Sequence, residues 1–218
     1  MLMAIPIFEG LTALDAVGPY EVLSRVPGVS VVFVGAAVGV NRTDRGSLGL
    51  YADAGFDDVL ACDVVLVPGG PGVERAQHDA RLLAWLRAVD ETSTWTTSVC
   101  TGALILGAAG LLRGRRATTH WLSAQRLAGV GATWDPSRVV TDGKYMTAAG
   151  VSAGIDMALT LAGRLAGDTV AQAIQLSIEY DPQPPFRAGS PTQAPPEIVD
   201  LLRRLAGPSP SEEPLPLG

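Results

Sequence analysis

The stretch Thr96-Thr97-Ser98-Val99-Cys100-Thr101-Gly102-Ala103-Leu104-Ile105-Leu106 joins a β-prone run directly to a helical run. The change of pattern at Cys100 predicts a sharp strand-to-helix turn, which presents a side chain at the end of a sheet. The small residues Ser98 and Gly102 suit the crowding of such a turn. The start of the following helix would favour a thiolate. Cys100 is therefore a candidate nucleophile, and the alternative is a small thiol packed in the core.

The chain on both sides of this turn alternates strand, loop and helix. The predicted strands cover residues 2–8, 29–34, 47–52, 63–67, 94–99 and 132–134, together with a hairpin over 139–147 that turns at Asp142-Gly143. The first predicted helix begins at Pro19, because proline suits a first helical position. Further helices are predicted over residues 79–91, 102–112, 151–166, 168–179 and 195–205, and Asp168 is the predicted N-cap of the helix over 168–179. This order predicts an α/β fold with an open, mostly parallel sheet covered by helices.

The size of the chain sets the expected domain organisation. It has 218 residues, of which 47% are hydrophobic, so it can bury one sizeable core. A proline-rich loop follows residue 180, and residues 208–218 have the composition of a frayed end. We expect a single domain over residues 1–206 and a flexible tail over 207–218.

Composition argues against several classes of protein. A formal net charge of -6 and no long basic cluster argue against nucleic acid as the principal partner. No apolar run approaches the ~20 residues of a membrane-spanning helix, and the amino terminus lacks the basic start of a signal peptide. Two cysteines and two histidines give neither a disulfide framework nor a metal-binding cluster. We therefore expect a soluble cytoplasmic protein without a metal site.

Three predicted loops lie at the carboxyl ends of parallel strands, where ligands bind in such sheets. They carry Asp15, Gly69-Gly70 and Cys100-Thr101. The backbone N–H groups of Gly70 and Thr101 could stabilise negative charge that develops beside the cysteine sulfur. Asp15 could donate and accept protons if burial raises its pKa towards neutrality. Its alternative role is that of an ordinary loop or capping aspartate.

Three further residues could take part in the chemistry. His120 is a second candidate base, since cysteine nucleophiles often pair with an imidazole, or a histidine that only packs. Cys62 precedes a core strand, and we interpret it as a packed thiol. Asp156 lies within a predicted helix, where a polar anchor is the favoured interpretation over a site residue.

Several motifs together resemble the ThiJ/PfpI superfamily. They are Val67-Pro68-Gly69-Gly70, Ser98-Val99-Cys100-Thr101-Gly102-Ala103, Ala109-Gly110-Leu111-Leu112, Gly114-Arg115-Arg116-Ala117-Thr118-Thr119-His120-Trp121 and Ser152-Ala153-Gly154-Ile155-Asp156. Within the superfamily the chain is most similar to the isonitrile hydratases. That similarity rests on Leu14-Asp15-Ala16-Val17-Gly18-Pro19 and on the run from Glu179 to Pro191.

The resemblance implies a flavodoxin-like homodimer that acts on a small molecule without a cofactor. Many members carry a glutamate near the nucleophile, whereas the hydratases use an aspartate, which Asp15 matches. The implied roles are Cys100 as nucleophile, Asp15 as general acid and base, and the N–H groups of Gly70 and Thr101 as polarising donors. Gly69 and His120 would support this site. The implied reaction hydrates an isonitrile to an N-substituted formamide through a thioimidate on Cys100.

Two alternative functions stay open. The same motifs occur in the amino-terminal sensor domains of AraC-type regulators, where they need not support catalysis. The sequence after residue 190 predicts one helix and no basic recognition helix, so we do not expect DNA binding. A redox-sensing or glyoxalase-like member is the other alternative, although glyoxalase-type members usually rely on the glutamate that Asp15 replaces.

Overall fold

The computed structural model describes residues 1–207. The strands are β1 Leu2–Pro6, β2 Ser30–Gly35, β3 Gly39–Arg42, β4 Gly49–Ala52, β5 Ala54–Gly55, β6 Val64–Val67, β7 Trp95–Val99, β8 Arg116–Ala117, β9 Thr133–Trp134, β10 Val139–Asp142 and β11 Tyr145–Ala148. The α-helices are α1 Ala13–Leu23, α2 Val73–Ala76, α3 Ala80–Thr92, α4 Gly102–Ala108, α5 Arg126–Gly129, α6 Ala153–Ala166, α7 Asp168–Ser177 and α8 Pro196–Ala206.

A seven-stranded sheet forms the centre of the fold, in the order β10-β11-β7-β6-β1-β2-β5. All neighbouring strands in it are parallel except β10, which pairs with β11 in an antiparallel hairpin. The strand β6 is buried along its whole length, as expected for a central parallel strand covered on both faces. The predicted α/β class with a mostly parallel sheet is confirmed.

Helices cover both faces of this sheet. Core residues of α2, α3, α4 and α5 pack on one face, and those of α1, α6 and α7 pack on the other. The sheet edge at the carboxyl ends of β1, β6 and β7 leads into the three loops that were predicted to carry the site. The fold therefore brings these loops together as expected.

The helix α1 begins at Ala13, six residues earlier than predicted, so Pro19 lies inside it rather than at its first position. Gly18 has no Cβ to clash with the proline ring, so it can stay helical. A Cβ on Gly154 of α6 would lie 3.1 Å from Pro19 Cγ, so the proline packs closely against the neighbouring helix. Tertiary packing thus outweighs the local preference of proline, and Asp15 lies in the first turn of the helix.

Other boundaries also differ from the prediction. The sequence missed β3, which pairs with β4 in a separate two-stranded sheet. The helix α4 ends at Ala108 because Gly110, at φ 84°, leaves the helical conformation. The hairpin turns at Gly143-Lys144 instead of Asp142-Gly143, and Asp142 pairs with Tyr145. Gly167, not Asp168, is the N-cap of α7.

The chain divides into two compact units, Met1–Tyr180 and Asp181–Gly218. Within the second unit, the structure describes a loop and the helix α8. The single domain over residues 1–206 and the flexible tail over 207–218 stay predictions, and residues 208–218 of that tail lie outside the described part. No helix among residues 1–207 combines the length and hydropathy needed to span a membrane.

Candidate active site

Cys100 occupies the turn between β7 and α4 and has a φ of 56°. A cysteine rarely adopts this left-handed conformation, which needs support from the surrounding structure. Its N–H donates to the carbonyls of Ala148 (3.1 Å) and Ala149 (2.9 Å), and its carbonyl accepts from Thr119 Oγ1 (2.8 Å). A Cβ on Gly102 would lie 2.2 Å from the Val67 carbonyl oxygen, so only glycine fits there. The predicted elbow is present.

Asp15 is fully buried in the first turn of α1. Its Oδ2 accepts a hydrogen bond from the Gly69 N–H at 2.9 Å, while Oδ1 has no hydrogen-bond partner among the described residues. Burial raises the pKa of Asp15 to about 7, against the opposing effects of the Gly69 N–H and the Cys100 side chain. A smaller contribution from the charge of Asp44 also raises this pKa. Burial thus meets the condition under which Asp15 could both give and take a proton near pH 7.

Burial opposes the thiolate form that the start of the following helix was predicted to favour at Cys100. Burial raises the pKa of the Cys100 thiol to about 12, and the negative charge of Asp15 raises it further. The N–H groups of Val151 and Thr101 and the Thr101 hydroxyl act in the opposite direction, but their effects are smaller. The following helix has only seven residues and does not overcome the loss of water around the sulfur. Burial and the charge of Asp15 thus favour the thiol form of Cys100, from which a base would have to remove the proton before the sulfur could attack.

The loop after β6 packs directly against the cysteine turn. A Cβ on Gly69 would lie 2.5 Å from the Thr101 nitrogen, and Gly70 has a φ of 125°, so both positions require glycine. The Gly70 N–H donates to Thr101 Oγ1 at 2.9 Å. The two predicted polarising residues are thus neighbours, but the Gly70 N–H must leave the Thr101 hydroxyl before it can bind a developing charge.

His120 lies at the start of a 3₁₀ turn and does not join Asp15 and Cys100. Its Nδ1 accepts from the Leu122 N–H at 3.4 Å, and its ring is so close to Gly150 that a Cβ there would lie 2.8 Å from it. Burial lowers the pKa of His120, which favours the neutral imidazole. Among residues 1–207, it forms no hydrogen bond with either Asp15 or Cys100. Its role as a base stays a prediction without a contact to support it.

Sequence reasoning missed Val151, which has a φ of 21° and packs against the core cluster that contains Cys100. A β-branched residue rarely adopts positive φ, so no propensity rule places it there. The available signal was its position directly before Ser152, the first residue of a motif already recognised. The backbone N–H of Val151 favours the thiolate form of Cys100.

The remaining two candidates, Cys62 and Asp156, make contacts that are typical of residues with a structural role. Cys62 packs in the core, and burial raises the pKa of its thiol to about 11. Both carboxylate oxygens of Asp156 have partners, one in Arg138 and the other in Tyr180. These contacts agree with the interpretations of Cys62 as a packed thiol and Asp156 as an anchor.

Metal-ligating side chains do not cluster in the described part of the chain. No group of three or more His, Cys, Asp or Glu residues there could hold a metal ion. Asp15 and Cys100 are residue types that can carry out proton transfer and nucleophilic attack, respectively.

Comparison with known proteins gives consistent matches over this fold. Residues 1–164 match the DJ-1/PfpI family. An isonitrile hydratase from Pseudomonas putida is 45% identical over 203 residues, which cover 93% of this chain and 89% of that protein. A crystal structure of a ThiJ/PfpI family protein from Pseudomonas syringae is 38% identical, has a TM-score of 0.92 and is matched over 94% of this chain and 85% of that one.

A transcriptional regulator also shares part of the sequence. The HTH-type regulator GbdR from Pseudomonas aeruginosa is 32% identical over 136 residues, which cover 62% of this chain and 37% of the regulator. The similarity to the hydratase therefore extends over much more of both proteins.

Proposed function

Because the chain belongs to the DJ-1/PfpI family, as the ThiJ/PfpI resemblance predicted, we propose that it is an isonitrile hydratase. The observation that carries the proposal is the placement of a buried acid, Asp15, beside a buried thiol, Cys100. The similarity to the Pseudomonas putida hydratase over nearly the whole chain supports the same substrate class. The product is an N-substituted formamide.

The first half of the proposed reaction forms a thioimidate. The ionised Asp15 carboxylate, whose Oδ1 is free to accept, takes the proton from the Cys100 thiol. The sulfur attacks the terminal carbon of the isonitrile, and Asp15 delivers the proton to the same carbon. A C–S bond and a C–H bond form, and Asp15 is again a carboxylate. A base with a pKa of about 7 suits both transfers near neutral pH.

The second half consumes water. Asp15 takes a proton from water as the oxygen bonds to the thioimidate carbon, and the nitrogen receives that proton. The C–S bond of the tetrahedral adduct then breaks, and the hydroxyl of the adduct becomes the formamide carbonyl. The proton of that hydroxyl returns to the Cys100 sulfur through Asp15. The N–H groups of Thr101 and Gly70 are the proposed donors to negative charge in these steps, the latter after it leaves the Thr101 hydroxyl. Covalent catalysis thus splits the hydration into two easier steps.

The experiment that tests the proposal compares wild type with Cys100→Ala on a simple alkyl isonitrile. Mass spectrometry should detect the N-alkylformamide with the wild-type protein and none above background with the variant. A thioimidate adduct on the peptide that contains Cys100 should be trapped by rapid quenching. Undiminished turnover by Cys100→Ala, or no turnover by folded wild-type protein, would overturn the assignment.

The same assay separates the alternative functions. Turnover of methylglyoxal but not of the isonitrile would favour a glyoxalase-like activity. Binding without turnover of either compound would favour a sensor domain related to those of transcription regulators. We also expect a homodimer, no nucleic-acid partner and a cytoplasmic location, and these three expectations stay predictions.

A further inference from the structure

Arg138, Asp156 and Tyr180 form a polar cluster near the start of α6. Arg138 Nε forms an ion pair with Asp156 Oδ2, and Tyr180 OH donates to Asp156 Oδ1 at 2.9 Å. Arg138 Nη2 also donates to Ser152 Oγ at 3.2 Å. Ser152 is the N-cap of α6 and Asp156 is in its first turn. We call Arg138, Asp156 and Tyr180 the Arg138 cluster. This cluster connects the beginning of α6 to the end of the preceding loop.

The same arginine holds the other end of that loop through its backbone. The Arg138 carbonyl accepts from the Ala149 N–H at 2.9 Å. The Ala149 carbonyl in turn accepts from the Cys100 N–H, also at 2.9 Å. Residues 149–152 are therefore fixed by Arg138 at both ends, once through the main chain at Ala149 and once through the side chain at Ser152.

The loop that Arg138 holds is the one that contacts Cys100. Between its two fixed ends lies Val151, which has a φ of 21° and whose backbone N–H forms a hydrogen bond with Cys100. A non-glycine residue keeps such a conformation only when its surroundings impose it. The Val151 N–H favours the thiolate of Cys100, so its orientation affects the reactivity of the sulfur.

We propose that Arg138, Asp156 and Tyr180 are positioning residues that hold loop 149–152 against Cys100. The proposal rests on the role of Cys100 as nucleophile in the proposed function. The groups that act on the Cys100 thiol directly are Asp15, Val151 and Thr101, so in this proposal the three positioning residues act through the loop. This assigns Asp156 an indirect part in the chemistry in addition to its role as an anchor.

Other titratable groups face the same region and must be kept constant in a test. Asp15 acts on Cys100 directly, and Asp44 acts on Asp15. The ring of His120 lies against Gly150 within the loop. The variants below alter none of these three groups.

The test follows alkylation of Cys100 by iodoacetamide as a function of pH, with peptide mass spectrometry to monitor this site alone. In Tyr180→Phe and Arg138→Met, the apparent pKa of the thiol should rise because the Val151 N–H is no longer held in place. Since one pKa unit is a tenfold change in thiolate fraction, alkylation at pH 8 should slow by about three- to tenfold. In the hydratase assay, kcat should fall more than KM rises.

The matched control is Arg116→Met. Arg116 forms a comparable exposed ion pair with Asp135 at 3.0 Å, and neither residue belongs to the Arg138 cluster. This variant should keep the wild-type alkylation profile. Arg138→Lys retains the positive charge opposite Asp156 but lacks the planar guanidinium group. This variant should therefore recover part of the alkylation rate that Arg138→Met loses.

An alkylation profile of Tyr180→Phe that matches wild type would overturn the proposal, and so would an equal change in Arg116→Met. Tyr180→Phe removes a single hydroxyl, so it provides a test even if Arg138→Met does not fold. Alkylation does not require an isonitrile. A failure of the hydratase assignment would therefore leave this result interpretable by itself.

Discussion

The charge of Asp15 raises the pKa of the Cys100 thiol, whereas the Cys100 side chain lowers the pKa of the Asp15 carboxyl. Both effects favour the same state, in which the proton is on sulfur and the carboxylate is ionised. Asp15 still has a pKa of about 7 because it is fully buried. The pair therefore places a thiol next to a base of nearly neutral pKa, and the proposed reaction begins with a proton transfer between them.

The first prediction concerns the pH dependence of activity. Since the proposed reaction requires the carboxylate form of Asp15, kcat/KM for an alkyl isonitrile should rise about tenfold per pH unit below pH 7 and level off above it. The Cys100 thiol has a pKa of about 12 and should add no second step between pH 7 and pH 9. Initial rates at low substrate concentration measure this profile. A rate that falls through pH 7 would assign the active form to protonated Asp15 instead.

The second prediction separates Asp15 from His120. Asp15→Asn should lower kcat by about 100-fold or more, the usual cost of removing a general acid and base. His120→Gln should lower it by less than about tenfold, because His120 has no hydrogen bond to either reacting residue in the described structure. Steady-state kinetics on the two variants give the comparison. A larger loss in the histidine variant would restore His120 as the base.

The third prediction concerns stability. The pKa of Asp15 is raised from 3.8 to about 7 in the folded protein, so ionising it between these values costs folding free energy. Between pH 4 and pH 8 the unfolded chain binds fewer protons at this group, and its contribution to stability falls as pH rises. Asp15→Asn removes this penalty. Relative to wild type, its free energy of unfolding should therefore increase by about 3–4 kcal/mol from pH 4 to pH 8. Urea denaturation at both pH values measures it, and a pH-independent difference would contradict the burial effect.

The fourth prediction distinguishes the two cysteines. Cys62 packs in the core and its thiol pKa is raised to about 11, so Cys62→Ala should retain activity within about twofold. It should lose about 1–2 kcal/mol of stability because a small buried group is removed. Kinetics and thermal unfolding of this variant give both values. Loss of turnover in a folded Cys62→Ala protein would mean that the second thiol takes part in the reaction.

Sequence patterns predict the parts of the site that depend on local structure. The strand-to-helix turn at Cys100 follows from a change of periodicity, and the position of Asp15 follows from the order of strands and loops. Sequence patterns do not predict the other contacts of the site, because these contacts join residues that are far apart in the sequence. Arg138 and Asp156 are 18 positions apart, and Gly70 and Thr101 are 31 apart, so their contacts exist only after the sheet has assembled.

The errors in the prediction also arise from contacts between residues that are far apart in the sequence. Pro19 has a strong local preference for the start of a helix, but packing against Gly154 of α6 keeps it within α1. The local rule for a cysteine before a helix predicts a thiolate, but burial reverses the direction of the pKa shift. In both cases an interaction with distant parts of the chain is stronger than the local preference.

The fifth prediction tests the close packing beneath the cysteine turn. A methyl group on Gly102 would lie 2.2 Å from the Val67 carbonyl oxygen, which is a backbone atom, and Gly102 is only two residues after Cys100. Gly102→Ala should therefore cost about 2–3 kcal/mol and reduce kcat. The control is Gly129→Ala at the end of α5, where a Cβ meets no atom within 4 Å. Removing a glycine there should leave activity unchanged and stabilise the fold by about 0.4–1 kcal/mol. Urea denaturation and hydratase kinetics give the two comparisons, and equal effects of the variants would show that the turn tolerates a side chain.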